Sequence, residues 1–164
     1  MEGDPEFGFE RDFSVDVHHS GESLKHAWAG GLNSCQFCPV DLNFDGLDDL
    51  VVFDRNGNKL LTFVNQGTSG ETDYVYDPAY QGRFPQIKEW IQLKDYNGDG
   101  LRDIFTYTTG GIRVYDNVST DVLEFEMSYP LVYSYYYSGA VNLFALTDDY
   151  PVIEDIDGDG DLDI

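Results

Sequence analysis

The sequence predicts an all-β protein built from repeated antiparallel units. Three acidic segments of one pattern recur along the chain, and apolar runs of strand length follow the first two. The run Leu50 to Phe53 is followed by Arg55-Asn56-Gly57-Asn58, in which Asn-Gly is a strong hairpin signal. A second apolar run, Lys59 to Val64, comes directly after this turn. A hairpin is therefore expected after the first acidic segment.

The second acidic segment is followed by the same plan. Ile104 to Thr108 and Ile112 to Tyr115 are the expected strands, joined by a turn at Thr109-Gly110-Gly111. The stretch Gln86 to Lys94 fits a short helix or a buried strand about equally well, and Asp73 to Phe84 is expected to form a long connection. The pattern thus favours strands and turns almost throughout.

Composition supports a folded, strongly acidic protein. The chain has 164 residues, of which 41% are hydrophobic and 15% aromatic, enough for one sizeable core. The 31 acidic residues outnumber the 9 basic ones, and the net charge of -22 repels nucleic acid and anionic membrane surfaces. No apolar run approaches the roughly 18 residues that a membrane span needs. We therefore expect neither nucleic-acid binding nor direct membrane insertion.

The acidic segments share the form D-x-D/N-x-D-G-x-x-D-L/I. They begin at Asp41, Asp95 and Asp155, so that their starts are 54 and 60 residues apart. This period is too long for a small helical hairpin and is close to that of one propeller blade of four short strands. The spacing predicts β-propeller-type blades of antiparallel strands, each with an acidic inter-strand loop.

The loops have the residues that a calcium ion requires. Calcium prefers six to eight oxygen ligands, which a short loop supplies when the side chains at positions one, three and five converge and a glycine at position six makes the turn. Gly46, Gly100 and Gly160 occupy position six. The predicted ligands, including the carbonyl at position seven, are Asp41, Asn43, Asp45, Leu47 and Asp49; Asp95, Asn97, Asp99, Leu101 and Asp103; and Asp155, Asp157, Asp159, Asp161 and Asp163.

Charge repulsion within each loop also favours a bound cation. Two carboxylates about 4 Å apart repel by roughly 4 kcal/mol at an effective dielectric constant near 20. We expect two to three Ca²⁺ ions, and the tightest binding at the third loop because it has four ligand aspartates where the others have three. No sulfur or imidazole ligand is involved, which argues against zinc and copper.

The acidic segments have two other interpretations. A solvated turn would explain one such match in an acidic chain, but three matches at near-constant spacing favour a shared site. An EF-hand needs a bidentate glutamate at position twelve and flanking helices. Position twelve is Val52 in the first loop and Thr106 in the second, both within strand-like runs. The EF-hand interpretation therefore fails.

The loops resemble the FG-GAP and VCBS repeats of integrin-α-like β-propellers, in which a D-x-D-x-D-G-x-x-D loop joins two strands of a blade and binds calcium. The chain lacks the Phe-Gly and Gly-Ala-Pro signatures of FG-GAP repeats and is nearer to the VCBS type. The chain also resembles large surface proteins of Bacteroidetes-type bacteria at Trp28 to Ser34, Phe84-Pro85 and Trp90. That resemblance implies a secreted or cell-surface location, associated with the outer membrane, and export by type IX secretion.

The repeats suggest a division of the chain into four parts. We expect an N-terminal segment or leading strand at 1–27, a first blade at 28–82, a second at 83–140 and the start of a third at 141–164. A closed propeller of seven blades needs roughly 385 residues. The chain is accordingly expected to be a fragment of a larger propeller, or to pack against a partner.

The leading functional hypothesis is a non-catalytic calcium-binding module that presents a binding face for a protein or a glycan at the cell surface. The sequence has no nucleophile elbow, no Walker loop and no His-Glu-x-x-His, so no catalytic residue is assigned. Two alternatives stay open. The blades could be the scaffold of a carbohydrate-active enzyme, or the chain could be a structural subunit of an outer-membrane or secretion complex.

Three further features each have a structural and a functional interpretation. Cys35 and Cys38 form a C-x-x-C without a second cysteine pair, which leaves a strained local disulfide or two free thiols, at least one buried, ahead of a redox role. His18, His19 and His26 are expected to be ordinary surface or strand residues. The tyrosines of Tyr133 to Ser138 either pack within a strand or form an exposed sugar-stacking or protein-binding face.

Overall fold

A computed structural model describes residues 12–67 and 73–164 of the chain. The fold is all-β, with one short 3-10 helix at Pro78–Arg83 in the described ranges. The strands, in chain order, are β1 (His18–His19), β2 (Glu22–Ser23), β3 (Cys35–Val40), β4 (Asp49–Asp54), β5 (Lys59–Asn65), β6 (Tyr74–Tyr76), β7 (Ile91–Lys94), β8 (Asp103–Thr108), β9 (Gly111–Asn117), β10 (Phe125–Tyr129), β11 (Tyr133–Tyr136) and β12 (Gly139–Asn142).

Two four-stranded antiparallel sheets form the body of the protein. The first sheet consists of β3, β4, β5 and β6, and the second of β7, β8, β9 and β10, each with its strands side by side in chain order. Strands β1 and β2 form a small separate pair, as do β11 and β12. None of these sheets closes into a barrel. The first sheet falls within the predicted first repeat and the second within the predicted second repeat; the repeat boundaries themselves stay predictions.

The predicted hairpins are confirmed, with slightly longer strands. Strand β4 pairs with β5 across the turn at residues 55–58, and β8 pairs with β9 across Thr109-Gly110. Gly111 is not part of the second turn, because it already pairs with Thr108. A Cβ atom at Gly111 would lie 2.4 Å from the Leu143 carbonyl oxygen, so this strand position requires glycine for the close approach of a neighbouring segment.

The expected long connection over Asp73 to Phe84 is wrong. This segment contains strand β6, which pairs with β5, and then the 3-10 helix. The helix begins where Asp77 accepts a hydrogen bond from the Ala79 backbone N–H and Pro78 supplies a preset φ at the first position. Of the two options for Gln86 to Lys94, the strand is correct for its last four residues, and no helix forms there.

The core lies in layers on both faces of the two sheets. Alternate side chains of a strand point to opposite faces: in β4, Val51 and Phe53 face the second sheet, whereas Val52 faces the opposite way. The cluster between the sheets consists of Cys38, Val40, Leu42, Val51, Phe53, Phe84, Ile87, Ile91, Leu93, Ile104 and Leu123. On its other face the second sheet packs through Trp90 and Phe105 against Ala145 and Ile153. Both sheets are therefore covered on both faces, which explains their uninterrupted apolar runs.

The segment after β12 has little regular structure. Glu154 and Asp163 exchange backbone N–H to O hydrogen bonds of 3.2 and 2.9 Å and form an isolated antiparallel bridge. Among residues 12–67 and 73–164, no helix has the length and apolar character needed to cross a membrane.

Candidate metal sites

The first two acidic loops lie at equivalent places in the fold. The first loop joins β3 to β4, and the second joins β7 to β8, so each connects the first and second strands of its sheet. The third loop lies between the two bridged residues Glu154 and Asp163. Thus all three loops connect two antiparallel segments, as the sequence predicts for inter-strand loops.

The same hydrogen bonds fold all three loops. The aspartate at position one accepts the N–H of the position-six glycine, at 2.9, 2.9 and 3.1 Å for Asp41, Asp95 and Asp155. The aspartate at position five accepts the N–H of position seven, at 2.8, 2.8 and 3.1 Å. The side chain at position three accepts the N–H of position five, at 3.1, 2.9 and 3.2 Å. These bonds turn the oxygen-bearing side chains at positions one, three and five toward one tight turn.

Two backbone positions in each loop adopt the left-handed conformation. The position-six glycines have φ angles of +85°, +87° and +97°. Position four is also left-handed, with φ of +76° at Gly98 and +80° at Gly158, but in the first loop this position is Phe44, with φ of +62°. Phe44 is partly buried against the cluster between the sheets, which offsets the strain of a large residue in this conformation.

The position-nine aspartates of the first two loops have a role that the sequence did not predict. Asp49 is fully buried and accepts the N–H groups of Leu42, at 2.8 Å, and of Asn65, at 2.7 Å. Asp103 is also fully buried and accepts those of Tyr96, at 3.2 Å, and of Asn117, at 2.8 Å. Each carboxylate therefore fastens its loop to the end of the third strand of the sheet.

Asn65 and Asn117 complete this anchor and were missed by the sequence analysis. Their side-chain amides donate to the backbone carbonyls of Asp48 and Arg102, both at 3.2 Å. These bonds engage the carbonyl at position eight of each loop. The position-seven carbonyls of Leu47 and Leu101, which are the predicted calcium ligands, take no part in the anchor. The only sequence signal is an asparagine at the end of the third strand in both copies, which becomes visible once the strands are aligned.

Burial changes the acidity of the anchoring carboxylates. Desolvation raises the pKa of Asp49, against the backbone hydrogen bonds that lower it. Desolvation likewise raises the pKa of Asp103, to about 6. Hydrogen bonds to the backbone already engage both oxygens of each carboxylate. The assignment of Asp49 and Asp103 as metal ligands stays a prediction.

The third loop brings three carboxylates together. Asp155, Asp157 and Asp159 are exposed, and one oxygen of each lies within 4.8 Å of the others. In the described ranges, this is the one group of three or more acidic, histidine or cysteine side chains with such spacing; Asp49, Asp103 and Asp163 are not drawn into comparable groups. In the first and second loops, position three is an asparagine, whose oxygen is uncharged.

Crowding in the third loop also shifts its acidities. The N–H of Asp161 donates to Asp159 and lowers the pKa of that carboxyl. The hydrogen bond between the Asp159 and Asp161 side chains raises the pKa of Asp161. Each ionised carboxylate thus makes ionisation of its neighbour less favourable, and a bound divalent cation would offset this repulsion.

The predicted ligands are not neutralised by basic side chains. The three ion pairs within the described residues join Lys25 to Asp73, Lys94 to Glu154 and Arg102 to Asp48. None of these carboxylates is a predicted ligand. The loops therefore fit a hard cation, because they combine oxygen donors, a shared turn and uncompensated charge.

The other predicted features lie elsewhere. Cys35 and Cys38 are free thiols on opposite faces of β3, and burial raises the pKa of Cys38 to about 11, which disfavours a reactive thiolate. His18, His19 and His26 are exposed, the first two in β1. The tyrosines of β11 lie in a strand but are exposed, so of the two interpretations the one in which they are packed is wrong.

Comparisons with known proteins found no match, whether against protein-family models, curated proteins or solved structures.

Proposed function

We propose that this protein is a calcium-stabilised, all-β repeat module that works outside the cytoplasm and presents a binding face to a protein or a glycan. The observation that carries the calcium proposal is that three separate loops repeat one network of hydrogen bonds around positions one, three and five. A loop that needed only to turn would not require so many carboxylates. Three or four of them in one turn are stable together when a cation balances their charge.

The arrangement of the sheets supports a propeller-type assembly. Both sheets are four-stranded antiparallel meanders in chain order, and the first strands, β3 and β7, lie against each other. Propeller blades have this strand order and meet through their faces. The two acidic loops then occupy corresponding corners of adjacent blades. Calcium in these corners would hold the first and second strands of each blade in register.

The proposed location follows from charge and from calcium supply. A protein with a net charge of -22 gains most from bound cations where calcium is abundant. Loops of extracellular modules commonly bind calcium with dissociation constants of about 10⁻⁴ to 10⁻³ M. The resemblance to VCBS-type surface proteins agrees with this location and with the absence of an assigned catalytic group.

A thermal melt with excess chelator, and then with millimolar calcium, tests the metal sites. A site with a dissociation constant of about 10⁻⁴ M is at 100 times that constant in about 10 mM calcium, which adds about 2.7 kcal/mol per site. Each kcal/mol moves the midpoint of a domain of this size by roughly 2–4 °C. With two or three sites, we expect the midpoint to rise by about ten degrees or more.

Matched variants locate the effect. Asp45→Ala and Asp99→Ala each remove a position-five carboxylate and should each remove part of the shift, whereas Asp148→Ala removes an equal charge from an exposed residue outside the loops and should leave it intact. Calcium titrations of Asp45→Ala, Asp99→Ala and Asp159→Ala rank the three loops, and the third is expected to bind most tightly. If the protein is folded and its melting midpoint does not change with calcium, the proposed metal sites and the relation to calcium-binding repeats are refuted.

A further inference from the structure

We propose that the hairpin formed by β11 and β12 is a binding site for neutral polysaccharide, with Tyr133 and Tyr135 as its stacking platform. This proposal deepens the binding role proposed above but is independent of the calcium sites. A calcium-dependent melt and a polysaccharide-binding measurement can therefore fail separately.

The base of the hairpin is fixed to the second sheet. The N–H of Val132 donates to the Ile112 carbonyl at 2.9 Å. The N–H of Leu143 donates to the Val132 carbonyl at 3.0 Å. The Asn142 side-chain amide donates to the Gly110 carbonyl. The missing side chain at Gly111 lets the Leu143 backbone approach the β8–β9 turn. The hairpin is thus anchored at one end and projects from the sheet at the other.

The projecting part exposes its tyrosines. Tyr133 is 48% exposed, Tyr135 82% and Tyr136 64%, and Tyr137 at the tip is fully exposed. Burying an aromatic ring is among the larger favourable contributions to folding. Because these rings are exposed, they contribute little to the stability of the fold. Their exposure is better explained by recognition than by stability.

Two of the tyrosines share one face of the hairpin. Tyr133 and Tyr135 are two residues apart on β11 and so lie on the same side, about 6.6 Å apart along the strand. Their cross-strand partners on that face are Asn142 and Ala140. Ala140 is small and leaves the Tyr135 ring accessible. Tyr136 points to the other face, where it pairs with Gly139.

Charge identifies the class of ligand. Residues 127–147 include no Asp, Glu, Lys, Arg or His, although 24% of the whole chain is charged. A charged partner would find no complementary group within this segment, and an anionic one would also meet the field of an acidic protein. Tyrosine rings and hydroxyls match an uncharged, hydroxyl-rich ligand, because one end of the side chain is apolar and the other polar. A pyranose sugar can place its C–H groups against the face of a tyrosine ring and its hydroxyls beside the tyrosine hydroxyl.

Affinity electrophoresis in gels with dissolved polysaccharide, followed by isothermal titration calorimetry, tests the site. The neutral probes are laminarin, glycogen, xylan and galactomannan, and the anionic probes are alginate and polygalacturonate. We expect at least one neutral probe, and neither anionic probe, to retard the protein. In the double variant Tyr133→Ala/Tyr135→Ala, the affinity should fall roughly tenfold or more, with an unchanged melting temperature.

Tyr136→Ala is the matched control, since it removes an exposed tyrosine from the opposite face of the same hairpin. It should bind the neutral probe like the unaltered protein. The proposal is overturned if no neutral probe binds, if only the anionic probes bind, or if Tyr136→Ala and the double variant lose affinity equally. Sedimentation that shows self-association, lost only in the double variant, would instead assign this face to a second copy of the chain.

Discussion

The first two acidic loops and the third share one sequence pattern but are held in place differently. In the first two, which we call the anchored loops, the position-nine aspartate is fully buried and bonded to the end of the third strand. In the third loop, Asp163 is half-buried, and it accepts the N–H of Ile156 at 3.0 Å within its own loop. The third loop also brings three exposed carboxylates within 4.8 Å of one another.

This difference separates two tasks within one motif. Positions one to six specify the turn and its oxygen donors, and they form the same hydrogen bonds in all three loops. Position nine connects the turn to the rest of the sheet, and it can do so only where a third strand presents an N–H to it. The anchored loops should therefore keep their shape without a cation.

The largest effect is expected from removing an anchor. Asp103→Ala leaves the N–H groups of Tyr96 and Asn117 without their acceptor, and unsatisfied buried donors cost about 1–3 kcal/mol each. In chelator, we expect the free energy of unfolding to fall by about 2–4 kcal/mol. Asp163→Ala removes the corresponding residue of the third loop and should cost less than about 1 kcal/mol. Urea denaturation midpoints measure both, and equal losses would contradict the distinction between the loops.

A smaller effect is expected from pH. The folded protein holds the Asp103 proton up to about pH 6, whereas the unfolded chain releases it near pH 4. The folded state therefore binds more protons in this window, and the free energy of unfolding contributed by this group falls as the pH rises through it. Between pH 7 and pH 5 in chelator, the unaltered protein should gain about 1 kcal/mol relative to Asp103→Asn.

Thermal melts at pH 5, 6 and 7 measure this gain. Because Asp103→Asn keeps the rest of the acidic surface, general relief of charge repulsion cancels in the comparison. An identical pH slope for the two proteins would show that the Asp103 carboxyl does not carry the effect.

The sequence predicted what is local and missed what depends on the packing of distant segments. The hairpins after the first two loops were predictable because Asn56-Gly57 and the apolar runs determine them within a few residues. Strand β6 was missed although Tyr and Val favour strands, because three residues are too few to show an alternating pattern and the strand is held by pairing with β5. The anchor of Asp49 to Asn65 joins residues from different strands, so no spacing rule reveals it. The exposure of Tyr135 depends on where the hairpin projects from the sheet, which its β-like sequence does not indicate.

The smallest effect concerns position four, where the loops differ in sequence and agree in conformation. Gly98 has φ of +76°, and a Cβ atom added there would meet no other atom within 4 Å. Gly98→Ala should therefore cost only the left-handed strain of about 1 kcal/mol, since no neighbour must move. Gly31→Ala is the matched control, because Gly31 also has open space but no left-handed backbone, and it should change the free energy of unfolding by less than about 0.5 kcal/mol. If urea denaturation gave Gly98→Ala no cost, the second loop would tolerate a side chain at position four without the packing that Phe44 has in the first loop.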